Sequence, residues 1–413
     1  MTVALTAALA ACSSETGGTA IPGEIDIRLL SVGKYGTDPL EYRDTYEHNA
    51  AYGRSLALGR LADSVVIGAD VDPKFTNSFE PRAITQPALT QFLLVSAAKS
   101  ILEANGMILG FMAASSTHPP TDGRTWDGSD IFSPFGIGKT NRPEATSFSI
   151  MVLQFPDEQR AKTAAEQVEQ ADFDIAADQN ARVTIDGYPN AKAHWRPGVA
   201  SMAATMASGQ YFINVYAQQP NPDAAELQKL LQRIFTAQLA LLNQSPPLSA
   251  RDSLHQDYDP QSMLRRTLNE SGYAIPDAES HITRLPRGWL HYAADQRTWK
   301  TLLDDNGVDR ISTAAALLLR ARDSEAAVTL WAAINEQLPK TVDPPANTRD
   351  VVCKENPQPE RSNGVHPAWY DNGRFYCNIR YDRYVARVAS SQLADAQQRA
   401  AAQYALLAKS QYL

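Results

Sequence analysis

A chain of 413 residues is too long for one ordinary hydrophobic core, so two or three domains are expected. Apolar residues at 44% and charged residues at 20% exclude an intrinsically disordered polymer. The formal net charge is -8, with no run of Lys or Arg, which argues against a nucleic-acid partner, and no apolar stretch reaches the roughly eighteen residues that a membrane-spanning helix needs.

The N-terminus carries the strongest signal. Met1 to Ala11 reads MTVALTAALAA, and Cys12 follows, then the polar stretch Ser13-Ser14-Glu15-Thr16-Gly17-Gly18. An apolar segment, small residues and a flexible polar chain make the end of an export signal. The tetrad Leu9-Ala10-Ala11-Cys12 resembles a lipobox, in which the cysteine thiol receives a diacylglycerol group and the preceding peptide bond is cut. Two acyl chains matter because one gives only marginal membrane binding. The expectation is a bacterial lipoprotein, acylated with palmitate-type chains on Cys12 and held at the extracytoplasmic face of the cell membrane. No Lys or Arg precedes Cys12, so the signal is expected to extend upstream of Met1. Residues 1–20 read as signal remnant, lipobox and tether, 21–243 as an N-terminal α+β domain, 244–260 as a linker around Pro246-Pro247, and 261–413 as a C-terminal α+β domain.

Along the chain, Ile25, Ile27 and Leu29 alternate with polar residues as in a strand. Tyr52 to Val66 has helical periodicity, and Leu89 to Ile101 reads as a second helix. Met107 to Ala114 is wholly apolar and short, a strand. His118 to Lys139 is rich in turn formers and reads as a long irregular loop. Ser147 to Phe155 is a strand, and Asp157 caps the helix after it. Strand material surrounds Gly187-Tyr188-Pro189. Met202 to Met206 and Tyr211 to Ala217 form a hairpin about Ser208-Gly209, and Asp223 starts a helix with Leu227, Leu230, Leu231 and Ile234 on one face. The same order then recurs: Thr313 to Arg320 as a strand, a helix capped by Asp323, strands Val351 to Lys354 and Phe375 to Val388 (the latter bulged near Asp382), and a helix opened by Ser391. Both copies read strand, helix, strands, helix. The predicted fold is α+β, two similar domains from a possible internal duplication. Each is a mostly antiparallel sheet with helices on one face, ferredoxin-like with a split βαβ.

Cys353 and Cys377 are the remaining cysteines. An even pair in an exported chain points to a disulfide. A metal site would want a CxxC pair, and His366 is the one imidazole nearby.

Several stretches together resemble a family of actinobacterial envelope lipoproteins of unknown function. They are Leu9-Ala10-Ala11-Cys12, Val32-Gly33-Lys34-Tyr35 with Asp38-Pro39, Arg60-Leu61-Ala62-Asp63 with Asp72-Pro73, Cys353 to Cys377, Tyr384-Val385-Ala386 and Ala402-Gln403-Tyr404. The resemblance implies an envelope location and the disulfide, and implies no chemistry.

The search for chemistry yields near misses. Ser133 to Thr140 ends like a phosphate-binding loop but has Ser133 where glycine is needed. Gly53-Arg54-Ser55-Leu56-Ala57 departs from a nucleophile elbow at Ala57. Asp122, Asp127 and Asp130 lack the spacing of a calcium loop. The histidines His48, His118, His194, His255, His281, His291 and His366 form no HExxH or HxH pair, and Trp195, Trp289, Trp299, Trp331 and Trp369 suit cores. The leading expectation is a non-enzymatic binding or accessory protein of the envelope, with no cofactor, no metal and no nucleic acid, whose partner is a lipid, a glycan or an envelope protein. The alternative is an extracytoplasmic hydrolase whose site assembles only in the fold, in a cleft where a Ser or Asp meets His194 or His291.

Overall fold

Two strands set the architecture. Every residue of β2 (Leu109–Ser116) and β3 (Ser147–Gln154) is buried. A strand covered on one face alternates apolar and polar residues, whereas one covered on both reads as a nearly unbroken apolar run. In the computed structural model, which describes residues 25–42, 46–118, 144–270, 275–293, 295–336, 340–356 and 373–413, these two strands are joined by β1 (Asn77–Ile84), β4 (Ala181–Val183), β5 (Lys192–Trp195), β6 (Ser201–Ser208) and β7 (Tyr211–Gln218). They form a seven-stranded antiparallel sheet of order β1-β2-β3-β7-β6-β5-β4.

The sheet's two faces are sorted by residue parity. Phe111, Ile150, Val152 and Ile213 meet Leu227, Leu230, Leu231 and Ile234 of α5 (Ala224–Gln244). The intervening Met112, Met151, Leu153 and Phe212 meet Ala161, Ala164, Ala165 and Val168 of α4 (Glu158–Asp174) on the opposite side. As expected, Asp157 and Asp223 cap these helices through their side chains.

The second sheet contains β8 (Ile282–Arg284), β9 (Arg310–Thr313), β10 (Leu317–Arg320), β11 (Lys340–Val342), β12 (Val351–Glu355), β13 (Phe375–Tyr381) and β14 (Tyr384–Ser390). Its order, read from the β8 edge, is β8-β9-β10-β14-β13-β12-β11, which repeats the first sheet strand for strand. α9 (Ser324–Glu336) follows β10 as α4 follows β3, and α10 (Leu393–Lys409) closes the second half as α5 closes the first. In each half a strand, its crossover helix and a later strand are split by one further antiparallel strand: β7 between β3 and β6, β14 between β10 and β13. The fold is therefore α+β, with two similar antiparallel-sheet domains.

Several expected details differ. The helices cover both faces of each sheet rather than one: α10 packs with Leu318, Ile379 and Val388, while α9 packs with Ile311, Leu317 and Leu319. Thr313 to Arg320 is not one strand but the hairpin β9–β10, turned where the Ala314 N–H reaches the Ala316 carbonyl; small side chains permit the reversal. Phe375 to Val388 is likewise the hairpin β13–β14, with Tyr381 opposite Tyr384 and Asp382 at φ +50° in the two-residue turn. Leu89 to Ile101 divides into a 3-10 helix, Pro87–Phe92, and α3 (Ala98–Ala104). Ile27–Leu29 is a 3-10 turn, because the Asp26 carboxylate accepts the Arg28 amide and curls the chain. Residues around Leu30 and Tyr35 pack on α10, which takes this segment out of the N-terminal unit in which its place in the chain put it. Segment 244–260 contains α6 (Ala250–Leu254), a capped turn of helix against α1 (Ala50–Ala62).

The halves meet through side chains that belong to both. Ile67, just before α2 (Gly68–Val71), enters the core of Trp289, Leu290 and Trp299, and Ala278 enters the first-half core. Asp63 accepts the amides of Leu285 and Gly288, each at 3.1 Å, at the start of α7 (Pro286–Leu290). His291 Nε2 lies 3.2 Å from the Ala62 carbonyl oxygen.

Candidate functional site

Cross-strand register builds a cavity on the α4 face of the first sheet. Arg182, His194, Ala203, Tyr216 and Ser149 stand in one row across β4, β5, β6, β7 and β3. Residues opposite one another share a face. Ala203 is the smallest of the row, and the space above it, between His194 and Tyr216, is the cavity, about 390 Å³. That volume falls within the roughly 300–1,000 Å³ of small-molecule sites. Leu93, Leu94, Val95 and Val168 make the apolar wall. Thr205 and Asn214, one register step along, are polar and buried, with Asn214 Nδ2 donating to Thr205 Oγ1 at 2.8 Å. Ser149 Oγ, buried on the same face, makes no hydrogen bond among the described residues.

α4 supplies the charges. Val168 and Asp172 lie one turn apart and Glu169 beside them, so all three face the sheet end of the cavity. Glu169 is 5% exposed. Its carboxylate accepts His194 Nδ1 at 3.0 Å and Arg182 Nη1 at 2.6 Å. Burial pushes the Glu169 carboxyl up, but the hydrogen bonds from His194 and Arg182 outweigh it and hold the group below the ordinary glutamate range. Burial instead raises the Asp172 carboxyl above its ordinary value, the nearby His194 opposing it. Asp172 Oδ2 stands 3.8 Å from His194 Nε2. The arrangement offers acceptors (Glu169, Asp172), mixed donors and acceptors (Asn214, Thr205, Tyr216) and an apolar wall. No group of three or more His, Cys, Asp or Glu side chains among the described residues could hold a metal ion.

Two family models match the chain, a domain of unknown function (DUF7373) N-terminal region over residues 44–258 and the DUF7373 C-terminal region over residues 263–410. The chain belongs to the DUF7373 family. No curated protein matches this DUF7373 chain. Among solved structures it is similar to the extracellular domain of PknH from Mycobacterium tuberculosis, at 12% identity over 44% of this chain and 95% of that one, with a TM-score of 0.28. At that score the likeness carries no inference about the DUF7373 chain.

The residues singled out in the sequence fall as follows. Cys353 and Cys377 are directly opposed on β12 and β13, fully buried and disulfide-bonded. Cys12, the acidic trio Asp122, Asp127 and Asp130, the loop Ser133 to Thr140, His366 and Trp369 lie outside the described residues. Ser55 sits inside α1, with no strand entering it, so the elbow geometry is absent there. Trp289 and Trp299 pack edge to face in the core, their centroids 4.8 Å apart. His291 is buried against a backbone carbonyl and does not line the α4 cavity. His194 alone of the two named histidines meets an Asp in a cavity. Sequence reasoning missed Glu169, Arg182 and Asn214; for Glu169 and Asn214 the signal was polarity at positions where the helix and strand periods call for apolar residues, whereas Arg182, exposed on the edge strand β4, gave none.

Proposed function

We propose that this protein is a lipid-anchored, non-enzymatic binding protein of the cell envelope, tethered through acylated Cys12, and that the α4 cavity takes a hydroxyl-rich ligand of the glycan class. The observation that carries the reading is the Glu169–His194–Arg182 cluster beneath a half-apolar cavity. A carboxylate fixed by two donors is pre-organised to accept hydroxyl protons, the amide of Asn214 both donates and accepts, and the apolar wall suits the C–H face of a sugar ring. A lipid tail would give the spare hydrogen-bonding positions of Glu169, Asn214 and Tyr216 no partner, which is unfavourable by about 1–3 kcal/mol for each one it shuts off from water.

Titration calorimetry with soluble hexose and N-acetylhexosamine oligosaccharides tests it. Saturable binding is expected, weakened at least tenfold or so in Asn214→Ala and in His194→Ala, since each removes a hydrogen bond to ligand or to Glu169. Binding of acyl chains with no response to oligosaccharides would favour the lipid class instead. For the anchor, Cys12→Ser is expected to move the protein from the membrane to the soluble fraction on cell fractionation; unchanged membrane association counts against acylation.

A hydrolase acting on the same ligand is the second reading, because Asp172 is raised and Glu169 lowered, the divergence an acid–base pair needs. Against it, the Glu169 carboxylate is taken up by Arg182 and His194, and the group recorded near His194 Nε2 is a carboxylate rather than a nucleophilic hydroxyl. Turnover of chromogenic glycosides that is lost in Asp172→Asn would reverse this ranking.

A further inference from the structure

The C-terminal half carries a second cavity, of about 670 Å³, beside the β13–β14 turn, the 3-10 segment Pro260–Ser262 and the last turn of α10. Arg266, Arg320 and Arg383 all line it. Arg320 is matched by a carboxylate, with Asp309 oxygens at 2.8 and 2.7 Å. Arg266 is not. It is 6% exposed and held by the carbonyl oxygens of Gln261, Ser262 and Ser410, at 3.2, 3.0 and 3.4 Å, and by the ring of Tyr384, 5.4 Å from its guanidinium carbon. Carbonyls and a ring face orient a guanidinium without cancelling its charge. Arg383 Nε is buried and has no hydrogen-bond acceptor among the described residues. The acid in the wall, Asp382, is exposed in the turn.

The backbone around the cavity is also unusual. Gln261, Ser262 and Asp382 have φ of 60°, 55° and 50°, a region that L residues other than glycine rarely adopt. The Asp382 value belongs to the two-residue β13–β14 turn, and those of Gln261 and Ser262 to the loop that sets their carbonyls on Arg266. Burial depresses the Arg266 guanidinium below its ordinary value, opposed by the nearby Tyr384 and Asp259 and aided by Arg320.

We propose that this cavity is a binding site for a phosphate-bearing ligand, its phosphate oxygens accepting from Arg383 Nε and Arg266. The volume exceeds that of a bare phosphate, so the ligand carries a polar body as well, facing Gln261, Ser262 and Gln411. A soluble sugar phosphate and a phospholipid headgroup share this chemistry. The site lies on the opposite half from the α4 cavity and does not depend on the glycan reading.

The test uses the full-length chain in phosphate-free buffer, titrated with inorganic phosphate, with a hexose phosphate, and with phosphatidylinositol vesicles diluted in phosphatidylcholine. The vesicle arm uses the chain carrying Cys12→Ser, so that acyl chains cannot themselves bring it to the bilayer. Phosphate is expected to raise the melting temperature above the effect of chloride at equal ionic strength. Arg383→Gln is expected to weaken phosphate binding by about tenfold or more, as loss of a charge-assisted hydrogen bond does, while its melting without ligand stays that of the parent. Hexose phosphate binding without vesicle sedimentation assigns a soluble ligand; sedimentation competed by inorganic phosphate assigns a headgroup; both support the site. Phosphate acting no better than chloride, Arg383→Gln binding as tightly as the parent, or inorganic phosphate binding while neither larger ligand does, overturns it.

Discussion

Two buried groups at the junction of the halves pull the pH dependence of stability in opposite directions. Asp63 caps α7 from the other half, and burial, against the amides of Leu285 and Gly288, pushes its carboxyl from 3.8 up to about 7. Between those values the folded state binds more protons than the unfolded chain, so this group's contribution falls as pH rises through the window. Burial, helped by Arg287, pushes the His291 imidazole from 6.5 down to about 3. Here the unfolded chain binds more protons, so stability is lost as pH falls from 6.5 toward 3. Over most of the acid range the two effects offset one another. Asp63→Asn removes the first and keeps an oxygen for the α7 amides. Its melting temperature is therefore expected to drop more steeply than the parent's between pH 7 and pH 4; equal slopes in the two proteins would show that Asp63 ionises normally. None of this was legible in the sequence. Arg60-Leu61-Ala62-Asp63 reads there as the end of an amphipathic helix, and only the second half, more than two hundred positions on, supplies the amides that bury the carboxylate.

At the level of elements, local rules carried far. Asp157, Asp223 and Asp323 cap their helices because a short side-chain oxygen satisfies the first free amides, an interaction set within three residues. The hairpin β6–β7 turns at Gly209, at φ +52°. Cys353 and Cys377 lock neighbouring strands whose intervening chain is long. Replacing both by Ser is expected to destabilise the protein by about 3.5 kcal/mol, the closure entropy of such a loop, measured by denaturant midpoint with and without reductant. A loss well below 1 kcal/mol would mean that the paired strands β12 and β13 hold register without the bond. The hairpins β9–β10 and β13–β14 were hidden for a physical reason. Their strands are buried on both faces, so the alternation that would mark a reversal is missing, and the turns use Ala and Asp-Arg rather than Gly or Pro.

The whole molecule is two copies of one topology joined by shared cores rather than by a flexible hinge. Ile67 is built into the second half and Ala278 into the first. The N-terminal segment crosses over to the second half as well. Leu30 is buried against α10, Tyr35 donates to Asp395, and Gly33, at φ +59°, sits so close to Gln398 that a Cβ there would lie 2.2 Å from its Oε1. Leu30→Ala is expected to cost about 2 kcal/mol or more, with the loss appearing in a single cooperative calorimetric transition. Two separated transitions, only one of them shifted, would show that the halves unfold independently.

By itself the sequence determined the α+β class, the repeated order of elements, most helix starts and the cysteine partnership, because propensity, capping and apolar period act over a few residues. Only the tertiary structure decided that helices cover both faces of each sheet, that the segment around Leu30 and Tyr35 packs on the last helix, and that Glu169, His194 and Arg182 meet. Those outcomes rest on strand register and on contacts across tens to hundreds of positions, and no local pattern encodes which distant surface a buried face will find.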